Sequence, residues 1–122
     1  MKPETKFWQE IKKNTPKISW TRLESWSSFG VPDLLGYNES CGFFMVELKV
    51  STRNKITLSP HQKLFHMTHP KRSFIFVKTL APRSAKLYQS SALNASNFDL
   101  RDAKTAAQDD WAAIQEALIG GD

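Results

Sequence analysis

Two acidic residues and a lysine stand out because the sequence around them is apolar. Asp33 follows Gly30-Val31-Pro32, while Glu47 and Lys49 interrupt the run Phe43-Phe44-Met45-Val46-Glu47-Leu48-Lys49-Val50. On a strand, side chains alternate, so Glu47 and Lys49 face one way with Cα atoms roughly 6.5 Å apart, and Leu48 turns into the core. Residues Asn38 to Gly42 carry turn chemistry, so the segment opened by Asp33 doubles back as a hairpin and sets its carboxylate beside Glu47. Adjacent carboxylates repel, and an oxygen-rich pair suits a hard divalent ion such as Mg2+, with Mn2+ as a substitute. Such an ion can acidify a bound water and offset charge at a phosphate, which makes phosphodiester hydrolysis the chemistry within reach. Lys49 could orient or deprotonate the water, or stabilise developing negative charge; the residues leave these roles open. The plain alternative is a turn aspartate and a solvent-facing Glu–Lys pair on an edge strand.

Several elements must position these groups. Phe7, Trp8 and Ile11 share one face of a helix from about Glu4 to Asn14, ended by Pro16. Strands are expected at Ile18 to Glu24, Asp33 to Tyr37, Phe43 to Val50, Ser73 to Leu80 and Ala85 to Gln89, with Trp26 to Pro32 a loop. The basic stretch Ser51 to Thr57 reads as an exposed loop. Ser59, Pro60 and Gln62 form the opening of a capped helix that lasts to about His69. Ala107, Trp111, Ile114 and Leu118 recur at helical spacing, with Gly120 as a C-cap. The expected fold is α/β, a mixed central sheet of about five strands flanked by helices.

The 122 residues, 40% of them hydrophobic, suit one domain spanning 1–122. The first thirteen residues lack the apolar core of a signal peptide, no stretch is long enough to span a bilayer, and Cys41 is the sole cysteine. An intracellular, cytoplasmic setting is the corresponding expectation. Residues 1–88 hold fifteen Lys or Arg against six Asp or Glu, whereas residues 89–122 hold two against six. The basic part could face a polyanion, with Lys12, Lys13, Arg53, Lys55 and Lys63 as candidate phosphate contacts, although any one of them is ordinarily a solvated charge. His61, His66 and His69 lack companion cysteines or carboxylates for a zinc site and are expected to border the substrate surface. Trp26 and Phe29 are placed to meet a base or a second subunit.

The pair Pro32-Asp33 followed by Glu47-Leu48-Lys49 resembles the PD-(D/E)XK nuclease signature. The longer pattern Thr21-Arg22-Leu23-Glu24-Ser25, Gly30 to Leu35, Glu47 to Val50 and Leu58-Ser59-Pro60-His61-Gln62 is similar to the VRR-NUC branch, including its compact stand-alone phage and bacterial members, which implies a bacterial or phage-infected cell. The resemblance implies a restriction-endonuclease-like core, with a metal on Asp33, Glu47 and the Leu48 carbonyl and Lys49 as the catalytic lysine. It also implies Glu10 as a further acidic residue and Gln62 as a supporting group, although Ser59 and Gln62 equally fit a capping box. The activity implied is a Mg2+-dependent DNA endonuclease acting on four-way (Holliday) junctions or related branched DNA as a homodimer. A flap or nicking nuclease, an RNA-directed nuclease, or a binding module that keeps the fold without the chemistry are the alternatives.

Overall fold

The computed structural model describes residues 2–23, 30–53, 55–93 and 103–120, and Gly42–Ser51 lies at the centre of its sheet. We number the strands β1 (Ser19–Arg22), β2 (Leu34–Asn38), β3 (Gly42–Ser51), β4 (Ser73–Leu80), β5 (Arg83–Gln89) and β6 (Ala107–Gln108). The helices are α1 (Pro3–Asn14), α2 (Pro60–Thr68) and α3 (Trp111–Gly120). Spatial order follows chain order, and every neighbouring pair is antiparallel except β3 and β4. That parallel pair requires a crossover, which α2 supplies.

Alternation along β3 and β4 divides the interior in two. Phe44, Val46, Leu48, Phe74 and Phe76 face α1 and α3, where Phe7, Ile11, Ile114 and Leu118 complete the main core. The Phe7 and Phe76 rings meet edge-on at 4.8 Å. The opposite face carries Ile75 and Val77, packed with Tyr88, Ile56 and Leu58. Because Glu47 pairs in register with Ile75 and Lys49 with Val77, both charges belong to this second face, the one α2 covers.

The sequence expectations hold for the order helix, strand, hairpin, helix, strand, strand, and differ at the ends. Asp33 stands just before β2 rather than opening it, and β1 ends at Arg22. Ala107, expected in the last helix, instead pairs with Leu87 as a sixth, two-residue strand, and the helix begins at Trp111. The Asp109 carboxylate accepts from the Ala85 N–H and Ser84 Oγ, which ties this segment to β5 before the helix can start. Glu24, Ser25, Trp26 and Phe29 lie outside the described residues.

Candidate active site

A gap in the ladder sets the site. β2 pairs with β3 only as far as Leu34 opposite Val46, so the next main-chain groups of β3 that point towards β2 have no strand partner. The Asp33 carboxylate fills part of that gap, accepting the Leu48 N–H at Oδ2 over 2.9 Å. Its own carbonyl accepts from the Leu23 N–H at 2.8 Å, which fixes the residue against the end of β1. A strand residue directs its N–H and C=O to the same side, so the Leu48 carbonyl faces the gap as well. The loop reaches this place through Gly30, whose φ of +79° suits glycine and whose missing Cβ would stand 2.3 Å from the His61 carbonyl carbon. Close packing of the Asp33 loop on the first turn of α2 thus depends on having no side chain there.

Glu47 is only 3% exposed, on a central strand. Burial foremost, then the charge of Asp33 and a hydrogen bond with its carboxyl, holds the Glu47 carboxyl far above the usual carboxylate range. Its Oε2 accepts from Gln62 Nε2 at 3.3 Å, while Oε1 is buried without a partner among the described residues. The same Gln62 accepts from Lys49 Nζ at 3.1 Å and from the Ser59 N–H at 2.9 Å, both through Oε1. Two donors on one side and an acceptor on the other fix the amide's orientation. Gln62 therefore closes the capping box of α2 and links Glu47 to Lys49, so both sequence readings of it hold geometrically.

A third acidic residue approaches from α1, and it is Glu4 rather than Glu10. Burial raises the Glu4 carboxyl, the charge of Asp33 adds to this, and the cations Arg22 and Lys49 oppose it. Glu10 lies elsewhere: its carboxylate takes the Lys78 ammonium at 2.9 and 3.2 Å, and Lys78 sits opposite Val50, on the α1 side of the sheet. The sequence did carry a signal for Glu4, which falls at i, i+4, i+7 with Trp8 and Ile11, an acid on the buried stripe itself. Arg22, the last residue of β1, was quoted in the sequence pattern without a role and comes to the rim of this group.

The remaining candidates scatter. Arg53 and Lys55 are exposed in the segment that follows Lys49, and Lys63 is exposed on α2. Lys12 and Lys13 sit at the far end of α1 from Glu4, roughly 12 Å along the axis, with Lys12 over the Trp8 ring. His66 does not border a surface: it is fully buried, its Nδ1 lies 2.6 Å from Ser90 Oγ, and burial pulls it down to about 4. Among the described residues no three His, Cys, Asp or Glu side chains gather to cage a metal. The donors at the gap are instead two carboxylates and a main-chain carbonyl. They fit a hard cation: the buried, partnerless Glu47 Oε1 and the crowding of Asp33 against Glu47 are both relieved by positive charge between them.

No family model matches the sequence, and no curated protein matches it. Among solved structures, the chain is similar to Hjc from Archaeoglobus fulgidus, a Holliday junction resolvase from an archaeal hyperthermophile. The TM-score is 0.57 at 16% identity, over 79% of this chain and 83% of that one. The likeness establishes the fold, a restriction-endonuclease-like mixed sheet flanked by helices, with six strands rather than about five. No helix among the described residues is long and apolar enough to cross a membrane.

Proposed function

We propose that this chain is a metal-dependent nuclease of the VRR-NUC branch of the PD-(D/E)XK superfamily, cutting four-way or related branched DNA as a homodimer. The observation that carries the reading is the gap beside β3, where Asp33 bonds the Leu48 N–H and stands against the buried Glu47 carboxyl. The fold shared with a Holliday junction resolvase supports the choice of branched DNA, and a two-fold pair of sites would suit paired cuts.

Asp33, Glu47 and the Leu48 carbonyl would hold Mg2+ or Mn2+. Bound there, the ion supplies Lewis acidity towards a phosphate oxygen and a water of lowered pKa. Glu47 fixes the position of the site because it is buried on a central strand and cannot swing. Lys49 keeps its ammonium aimed into the site by donating to Gln62, where it can donate in turn to a phosphate oxygen as negative charge grows. Arg22, within reach of the Glu4 charge, and the exposed Arg53 and Lys55 would hold DNA through its backbone. Hydrolysis adds one water across one P–O bond, leaving a phosphate on one strand end and a hydroxyl on the other.

The test is a cleavage panel of linear, flap and four-way DNA, with and without Mg2+ or Mn2+. Cutting of the branched substrates only when metal is added is expected. Absence of cutting under every condition, or free cutting of linear duplex with junctions spared, would overturn the reading.

A further inference from the structure

We propose that a cavity next to the active site receives a single unstacked nucleobase of the strand being cut, an inference that rests on the nuclease reading above. Glu47 shares its face of β3 with Met45 and Phe43, two and four residues back, so these side chains lead away from it in steps of roughly 6.5 Å. Helix α2 borders the same route. Gln62 bonds Glu47, and one and two turns further Phe65 and His69 line, with Leu35, Phe43 and Met45, a cavity of about 250 Å3.

The chemistry of its walls identifies the occupant. Phe43 is 61% exposed, with its ring 4.7 Å from that of Tyr37. Phe65 stacks on the His69 imidazole at 4.2 Å and 24°. Lys71 and Arg72 edge the same cavity, Arg72 with its guanidinium carbon 5.8 Å from the Phe44 ring centroid, and no acidic residue is among the described lining residues. An exposed aromatic ring such as Phe43, bordered by cations, accepts a base by stacking and its phosphate by charge, without regard to sequence. A second copy of the chain would bring the same cations face to face, so charge complementarity favours the polyanion. Because unstacking costs least where a base is already unpaired or strained, such a cavity favours branch points over linear duplex.

The test places 2-aminopurine at successive positions around the cut site of a four-way junction and binds it to Asp33→Asn protein. A change in emission at one position alone is expected, and Phe43→Ala should erase it and weaken binding roughly ten-fold. Since Phe43 is mostly exposed, far-UV dichroism and melting temperature should hold, showing that the variant is folded. Lys71→Ala should weaken binding and flatten its salt dependence. The proposal is overturned if no position responds, or if Phe43→Ala binds as tightly as the parent. It is also overturned if Phe43→Ala turns a dimer into a monomer on sedimentation with the emission change intact, because the face then belongs to a second copy. A parent protein that cuts DNA with Mg2+ but gives no emission change refutes the cavity alone. One that neither cuts nor binds DNA refutes the nuclease reading and the cavity together.

Discussion

Glu4 and Glu10 stand six residues apart on one helix and serve different ends. Glu10 neutralises Lys78 on the α1 side of the sheet, a partly exposed pair whose loss should cost less than about 1 kcal/mol. Glu4 lies within reach of the charges of Asp33, Arg22 and Lys49. Glu4→Gln should therefore lower metal-dependent cleavage by roughly ten-fold or more, while Glu10→Gln shifts the melting temperature slightly and leaves cleavage alone; equal rates for the two variants would remove Glu4 from the site. The sequence made Asp33, Glu47 and Lys49 legible because charge inside an apolar strand needs a reason. It left Glu4 hidden because motif order directs attention to position, and only the burial stripe of α1 distinguishes one helix glutamate from another. Glu47 also sets a pH dependence. Its folded pKa is raised above the usual 4.5, so the folded protein holds a proton that the unfolded chain has released. Through Glu47, metal-free protein should thus lose stability as pH rises towards about 9, and Mg2+ should reverse that loss by binding in the proton's place. Thermal melts from pH 7 to 9, in chelator and in Mg2+, measure it above the range in which the buried, neutral His66 adds the opposite slope. A melting temperature that climbs with pH in chelator would contradict the assignment.

At the scale of elements, the site is held where α2, the Asp33 loop and β3 meet. Ser59 accepts from the Gln62 N–H at 3.1 Å and caps α2, whereas the Gln62 side chain reaches the charges. Ser59→Ala should cost about 1 kcal/mol of stability with cleavage largely kept, and Gln62→Ala should cost a similar amount of stability together with roughly 10–100-fold in cleavage. Cleavage lost equally in both would mean that Gln62 acts only as a cap. Gly30→Ala should lower both stability and cleavage, because a Cβ there collides with the main chain of His61 and pushes the Asp33 loop off α2. Strong local signals made α1, the β2–β3 hairpin and the capped start of α2 legible in sequence. The two-residue β6 was not: Ala107 fits the helical spacing of Trp111 and Ile114, and bonds distant in sequence, from Ala106 to Leu87 and from Asp109 to Ser84 and Ala85, divert it into the sheet.

For the whole molecule, one sheet with a core on each face separates packing from chemistry: α1 and α3 supply most of the apolar burial, and the α2 face carries the buried charge. The formal net charge of +5, carried by residues 1–88, favours approach to a polyanion. The proposed chemistry depends on a divalent cation seated between Asp33 and Glu47. Crystals soaked in Mn2+ and measured for anomalous scattering test that most directly. One strong peak is expected in contact with the Asp33 carboxylate, Glu47 Oε1 and the Leu48 carbonyl oxygen, and it should be absent in Glu47→Gln. A parent crystal with no peak there, or a peak that persists in Glu47→Gln, would contradict it.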